Sequence, residues 1–365
     1  MKPKLLITTD CFLPRIDGVA IYLKNLLPYL SKSFEVTIVA PRFRGRIPPL
    51  PARIVQMPLG AKIADTWIAR WNYRKIKTLV SQSDIIFNHT IGTIGAAAIL
   101  AASKLKKPLV SHVHSYEWDL FSLSVDKFKR LVRWVTLKLA RYLYNKTSAI
   151  ICPSAEVQHV YQSQGITAPS SIVDVRIPVK SFSTKRESHS GLVIGYCGRI
   201  AREKGLPYLL KAFSSLKQSS RDLRLMLVGD GLRTLKWRAK LAGAELIGRV
   251  DNPQQYYSQM DIFVMPSLTE TTSLSTMEAM SSGLPIVATP VGMVPQFIRK
   301  SKDGILVPIQ DALALKRALQ ALIEQPSLRK KMGLAGRAYA LKHFDIEQSA
   351  KKIVEILLKS SKISN

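Results

Sequence analysis

"DIFVMPSLTETTSLSTMEAMSSGLPIVATPVG", Asp261 to Gly292, holds two glutamates, Glu270 and Glu278, with five Thr or Ser residues among the seven positions between them. On one continuous helix, eight residues turn by roughly 80° net and rise about 12 Å. The two carboxylates would then neither meet nor share a face. A strand over "DIFVMPS", a loop over "LTETTS" and a helix from about Leu274 to Ser282 fit the letters better. Ser and Thr suit a helix start. Small hydroxyl residues there leave the first N–H groups free to grip an anion. Glu270 then lies on the loop, and Glu278 projects from the second helical turn. Two solvated surface glutamates are the other reading of this segment. "LPIVATP" resumes a strand, so the segment is one β-loop-α-β unit.

The same alternation runs along the chain. "KLLITTD", "FEVTIVAP", "DIIFNHT" and "PLVSHVH" are separated by helical patterns, and after residue 190 the order restarts with "LVIGYCGR" and "LRLMLVGDG". Strands separated by helices mean βαβ units and parallel sheets. The polar stretch "KSFSTKRESHSG", Lys180 to Gly191, interrupts the alternation and reads as a linker. The expected fold is α/β, two doubly wound Rossmann-like domains facing each other across a cleft, over 1–180 and 181–344. A final amphipathic helix in 345–365 is expected to pack back on the N-terminal domain. The length of 365 residues agrees, being more than one core usually serves.

The composition, 47% hydrophobic and 8% aromatic, is that of a globular protein. Cys11, Cys152 and Cys197 are scattered, with no CxxC pair, which argues against a disulfide framework or a zinc site. The N-terminus has too short an apolar run for a signal peptide, and "IGTIGAAAILAA" is too short to span a bilayer. A cytoplasmic chain without a membrane span is expected. The charge is unusual. Lys and Arg number 54 against 25 Asp and Glu, a net +29. Both parts are basic, with 26 basic against 10 acidic residues in 1–180 and 28 against 15 beyond. Such a field attracts nucleic acid, an anionic membrane or phosphorylated substrates.

Three further stretches carry chemistry. "GYCGRIAREKG", Gly195 to Gly205, ends a strand at a glycine turn bearing Arg199, Arg202 and Lys204, a setting suited to a diphosphate. "DCFLPRIDGVAIYLKNL" starts a helix at Asp17-Gly18, where backbone N–H groups can approach a phosphate. No GxGxxG accompanies it, so the dinucleotide fingerprint is absent. In "VSHVHSYEWD", His112 and His114 lie two apart and share a strand face. No further ligand at workable spacing is visible, so no metal is expected; His112 reads as structural and His114 as able to face a cleft.

The ordered set "DG", "H", "GR…EKG", "VGDG", "PSLTE…E" and "GLPIVATPVG" resembles glycosyltransferase family 4, with the GT-B fold, over nearly the whole chain. The resemblance implies a nucleotide-sugar-dependent transferase acting with retention. It implies that Glu270 faces the transferred sugar and that Glu278 hydrogen-bonds the nucleotide ribose. Arg199 and Lys204 match the pair that holds the diphosphate, Gly18 the glycine loop close to it, and His114 the acceptor-side histidine. Val250 matches the position beside the nucleobase, and the backbone of Ser273 and Leu274 the amides that meet phosphate or ribose. Thr271, Thr272 and Ser273 stand where the family usually has a glycine-containing segment, which leaves the sugar open. No D-x-D motif is present. Arg199 and Lys204 can stabilise charge on the leaving diphosphate without a metal, and no cofactor is expected.

Residues 124–146, "SVDKFKRLVRWVTLKLARYLYNK", carry seven Lys or Arg against one acid, Asp126. The spacing predicts Phe128, Leu131, Val132, Val135, Leu139 and Leu143 on an inward face. Trp134 and Leu137 are expected outside, among the basic residues, as on a helix resting on an anionic bilayer. "WIARWNYRKIK", Trp67 to Lys77, has the same character. A core-packed helix with a solvated face is the alternative. Both stretches lie in the N-terminal domain, which in the family binds the acceptor. The expected partners are therefore a UDP- or GDP-sugar donor, a lipid or lipid-linked acceptor and an anionic membrane surface, met peripherally. A soluble glycan acceptor and a sugar-nucleotide epimerase of the same fold remain alternatives. Nucleic acid is the remote one, since no zinc finger, helix-turn-helix or RNP-like motif appears.

Overall fold

The computed structural model describes residues 2–362 apart from 16, 64, 65, 124, 126, 219–221 and 251. The chain divides into two compact units, Met1–Val175 with Ile346–Asn365, and Arg176–Asp345. The first division falls at 175/176, ahead of the boundary after Lys180 read from the sequence.

The first unit runs β1 (Lys4–Thr8), α1 (Gly18–Ser33), β2 (Glu35–Pro41), β3 (Arg53–Met57), β4 (Leu59–Ile63), β5 (Thr66–Ala69), α2 (Tyr73–Ser81), β6 (Ile85–Asn88), α3 (Thr93–Leu105), β7 (Leu109–His112), α4 (Glu117–Leu123), α5 (Lys129–Tyr144), β8 (Ala149–Cys152), α6 (Ala155–Ser163) and β9 (Ser170–Ile172). Seven of these strands form a parallel sheet in the order β3-β2-β1-β6-β7-β8-β9, and β4 and β5 pair as an antiparallel hairpin. Asp10, just past β1, caps α3: its carboxylate accepts from the backbone N–H of Ile94 at 2.9 Å and Gly95 at 3.2 Å, and from the Thr90 hydroxyl at 2.6 Å.

The second unit runs β10 (Leu192–Cys197), α7 (Leu206–Lys217), β11 (Leu223–Val228), α8 (Arg233–Leu241), β12 (Glu245–Gly248), α9 (Gln254–Tyr257), β13 (Ile262–Met265), α10 (Leu274–Ser281), β14 (Ile286–Ala288), α11 (Val294–Ser301), β15 (Gly304–Leu306), α12 (Ala312–Glu324) and α13 (Pro326–His343). Its parallel sheet has the order β12-β11-β10-β13-β14-β15. Alternate strand residues feed two cores: Ile262 and Val264 one, Phe263 and Met265 the other. The sheet is covered on both faces, as continuous apolar strands require. The last helix, α14 (Ile346–Lys362), belongs to the first unit. It buries Ile346, Ala350, Ile353 and Leu357 and packs against α1, β6 and β7.

In each sheet the strand order reverses once, between β1 and β6 and between β10 and β13. Open α/β sheets bind ligands outside the carboxyl ends of strands at such a switch point.

Two sequence expectations change. Lys180–Gly191 is not a free linker. It lies in the second unit, and the Arg186 guanidinium donates to the carbonyls of Tyr257 at 3.0 Å and of Ser282 and Gly283 at 2.8 Å each. The basic helix is also turned differently. Of the expected inward face only Leu143 is buried and Val132 half-buried; Phe128, Leu131, Val135 and Leu139 are 76, 56, 49 and 45% exposed. Ala140, Leu143 and Tyr144 face in, with Leu137 packed on the core instead of outward. Tertiary partners set this rotation. The Tyr144 hydroxyl donates to buried Glu117 at 2.6 Å, and Tyr161 donates to the same carboxylate at 2.8 Å. Ser124 and Asp126, at the start of that stretch, lie outside the described residues.

Candidate active site

In the second unit the site grows from the switch point between β10 and β13. The turn after β10 carries Arg199 and a short 3-10 turn, Arg202–Lys204, closed by Gly205. The loop after β13 carries Glu270. Leu268 N–H donates to the Glu203 carbonyl at 2.7 Å and joins the two loops. Gly205 is required there: its φ is +63°, and a Cβ would lie 1.9 Å from the Pro266 carbonyl oxygen. The Glu270 loop is held from the other side by Gly292. A Cβ at Gly292 would lie 2.5 Å from the Glu270 carbonyl oxygen, and the Met293 N–H donates to Thr271 at 3.0 Å.

These close approaches put cations and carboxylates in contact. Lys204 Nζ lies 2.6 Å from Glu270 Oε1, which also accepts from the Ser267 hydroxyl at 3.0 Å. Arg199 pairs with Glu203. Both groups expected to hold a diphosphate therefore have carboxylate partners in the free site.

The strand, loop and helix read from the opening segment are present, with α10 spanning Leu274–Ser281. Ser273 caps α10: its hydroxyl accepts from the Thr276 N–H at 3.3 Å and from the Thr276 hydroxyl at 2.9 Å. No acidic side chain occupies the first turn of α10, so its N–H groups and positive dipole end stay suited to an anion. Leu274 is half-buried on the neighbouring core, as is Val250. Among the described residues no position of the Thr271–Ser273 loop has a positive φ, so the backbone adopts the loop without glycine.

Glu278 is not a solvated surface residue. It is 7% exposed and accepts from the Tyr257 hydroxyl at 2.7 Å. Burial pushes its carboxyl up to about 7, against the lowering effect of that hydrogen bond. A buried carboxyl with a raised pKa makes Glu278 a candidate for a functional site.

In the first unit, Gly18 opens α1 behind Asp17, whose carboxylate accepts from the Ala20 N–H at 3.0 Å and lies 3.5 Å from Arg15 Nε. Tyr22, one turn on, sets its ring edge-on to His112 and His114, with centroids 5.3 and 5.5 Å away. His89, at the end of β6, joins them: its Nδ1 is 2.8 Å from His114 Nε2. The sequence reading found no third ligand beside His112 and His114. The fold supplies one, and ring nitrogens of the three histidines lie within 4.8 Å of one another. The pairing of Asn88 with Ser111 brings His89 next to His112. Burial holds all three imidazoles neutral; His114 is pushed down to about 3.

Residues 191–325 match the family model described as glycosyl transferases group 1, and residues 16–174 that of glycosyltransferase family 4. The chain belongs to glycosyltransferase family 4. This glycosyltransferase is 24% identical to the GDP-mannose-dependent alpha-(1-6)-phosphatidylinositol monomannoside mannosyltransferase of Mycolicibacterium smegmatis, over 97% of this chain and 98% of the relative. It is 23% identical to the alpha-monoglucosyldiacylglycerol synthase of Streptococcus pneumoniae, over 88% and 79% of the two chains. The solved sucrose-phosphate synthase of Thermosynechococcus elongatus superposes with a TM-score of 0.79 at 18% identity, over 98% of this chain and 99% of that one. The fold of the glycosyltransferase is GT-B.

The fold of this glycosyltransferase brings Arg199, Lys204, Val250, Glu270, Ser273, Leu274 and Glu278 onto one unit, and Gly18 and His114 onto the other. Sequence reading missed Tyr257, Ser267, His89 and Tyr22. Tyr257 and Ser267 sit beside the motifs with no pattern of their own. His89 carried one signal, a histidine at the end of a strand next to another strand ending in histidine.

Proposed function

We propose that this glycosyltransferase moves a hexose, with retention, from a UDP- or GDP-sugar to a membrane lipid or lipid-linked glycan. In this reading the α10 N-terminus, Arg199 and Lys204 receive the diphosphate. Negative charge grows on it as the anomeric bond breaks, and preorganised cations stabilise that charge. As diphosphate binds, it competes with Glu270 for Lys204 and with Glu203 for Arg199. Glu270 is then released toward the transferred sugar. Glu278 accepts from the ribose hydroxyls, the Val250 region borders the base, Gly18 matches the family's glycine loop near the diphosphate, and His114 serves the acceptor side. GDP-mannose is the first donor to test, given the M. smegmatis relative's name.

The observation that supports the lipid acceptor most is the outward apolar stripe of α5. Phe128, Leu131, Trp134, Val135, Leu139 and Tyr142 are exposed between Lys127, Lys129, Arg130, Lys138 and Arg141. Monomeric proteins rarely expose such a contiguous patch without using it, and basic residues around it suit an anionic bilayer. Trp67 and Trp71, in the same unit, are exposed as well. Among the described residues no helix is long and apolar enough to cross a membrane. The proposed association is therefore peripheral, on the cytoplasmic side.

Changing Arg130, Arg133 and Arg141 to Ser and Trp134 to Gln is expected to release the protein from anionic liposomes. Each basic residue at such a surface contributes about 1 kcal/mol, less for Arg133, which is 2.7 Å from Asp119. The drop in partitioning should reach about 100-fold, and high salt should reproduce its charge component. Donor binding should be unchanged, because Arg199, Lys204, Glu270 and Glu278 lie in the other unit and Gly18 is not among the changed residues. Flotation at low and high salt is the measurement. A wild type that stays at the bottom of the gradient at low salt points to a soluble glycan acceptor.

A further inference from the structure

The Tyr257 hydroxyl carries one proton and has two acceptors in reach. The Ser275 carbonyl lies at 3.4 Å and Glu278 Oε2 at 2.7 Å, so the carboxylate takes the proton. The half-buried Cys197 thiol, at the end of β10, meets the same hydroxyl. Burial pushes that thiol up to about 12, so it stays a neutral S–H able to donate to the phenol oxygen. The ring itself is fixed from several sides. It is fully buried, lies edge-on to Phe182 with centroids 6.1 Å apart, and lies 5.8 Å from Phe263 of β13. The Tyr257 carbonyl accepts from Arg186, which also donates to Ser282 and Gly283 just after α10. The segment after Lys180 therefore ties α9 to the end of the helix that carries Glu278. Arg186 and Arg337 both donate to carbonyls at that end of α10. The bond from Tyr257 takes Oε2 and leaves Oε1 without a hydrogen bond among the described residues.

We propose that Tyr257 is a positioning residue for donor binding: its hydroxyl holds Oε2 of Glu278 and so presents Oε1 to the ribose hydroxyls of the nucleotide. The presentation rests on the proposed ribose role of Glu278; the hold does not. The phenol touches no substrate and acts through the carboxylate alone. Without it the Glu278 side chain loses the contact that selects its rotamer. The buried carboxylate also loses a hydrogen bond that favours its ionised form.

Two measurements on the full chain test this. The first follows the Glu278 carboxyl by carbon-13 NMR from pH 5 to pH 9, its signal assigned by loss in Glu278→Gln. The second is the affinity for GDP and for UDP over the same range. Tyr257→Phe keeps the ring and removes the bond. It should raise the carboxyl midpoint by about one pH unit, the size of one charge-assisted hydrogen bond. Affinity for the nucleotide that wild type binds should fall about fivefold at pH 7, and the gap should close by pH 9, where both carboxyls are ionised. In a Glu278→Gln background the same change should cost less than about twofold, as for a residue that acts through its neighbour. A side chain that merely fills the core would lower the melting temperature and leave the midpoint in place. An unchanged midpoint in Tyr257→Phe overturns the proposal. So does an affinity loss that is equal at pH 6 and pH 9 or persists in the Glu278→Gln background. In wild type, one phenol carbon signal should titrate with the Glu278 midpoint and stop doing so in Glu278→Gln; its absence also overturns the proposal, even if Tyr257→Phe fails to fold. If neither nucleotide binds, the proposed function fails while both NMR titrations are still read.

Discussion

Lys204→Ala lowers turnover by about 100-fold or more, the usual cost of removing one preorganised group at developing charge. The same variant keeps near-normal affinity for the bare nucleoside, which carries no diphosphate. Lys204 lies 2.6 Å from Glu270. In the free site this ammonium is partnered, so its charge is already fixed in place. In the proposed role, bound diphosphate has already taken Lys204 from Glu270, so the charge that grows on the leaving group would meet a cation in place. Interactions stronger in the transition state than in the ground state raise kcat and not merely affinity. Arg199→Ala should act in the same direction. Steady-state kinetics at saturating donor is the check. Wild-type kcat in either variant removes that residue from the leaving-group role. Activity should also survive chelator; loss that magnesium restores would require a metal.

Glu278→Gln should move stability and binding in opposite directions. The carboxyl is raised from its ordinary range to about 7 by burial. A raised carboxyl stabilises the fold while protonated. That contribution is complete below the unfolded value, near 4.5, and is lost as pH rises through about 7. At pH 8 the wild type holds an ionised group in a buried place, at an order-of-magnitude cost of 2–3 kcal/mol. Gln has the same shape and no charge, and it can still accept from Tyr257. The variant should therefore melt higher than wild type at pH 8 and show little advantage at pH 5. Donor affinity should fall by about 10- to 100-fold, because hydrogen bonds from ribose to a charged acceptor contribute roughly 1.5–3 kcal/mol. Wild-type donor affinity should rise from pH 6 to pH 8 as the carboxylate forms. Thermal melts and donor titrations at the pH extremes give both numbers. Undiminished donor affinity in a folded Glu278→Gln protein would remove Glu278 from the ribose.

The same residues show what the sequence could and could not disclose. The β13–α10 unit was legible because its signals are local: an apolar run, a hydroxyl-rich cap and a glycine after the helix. The parallel sheets followed from the alternation of strands and helices, whereas the strand orders appear only in the fold. The facing of α5 was not legible. Leu131, Val132, Trp134, Val135, Leu137, Leu139 and Leu143 are apolar on more than one side, so periodicity offers two stripes. Tyr144, reaching Glu117, decides between them, and that contact is tertiary. The Lys180–Gly191 stretch has the composition of a linker, and only the fold shows that Arg186 ties it to three carbonyls. His89 lies 25 positions from His114. Their contact exists because β6 and β7 are neighbours, an adjacency no short motif encodes.

The most direct test of the whole account is transfer itself. Purified protein is incubated in chelator with labelled GDP-mannose, and in parallel with UDP-sugars, each with and without membrane lipid extract. Label is expected in the organic phase with one donor, only when lipid is present, and with the anomeric configuration of the donor retained. Label that appears solely on a soluble glycan, or an epimerised sugar nucleotide formed without any acceptor, contradicts it.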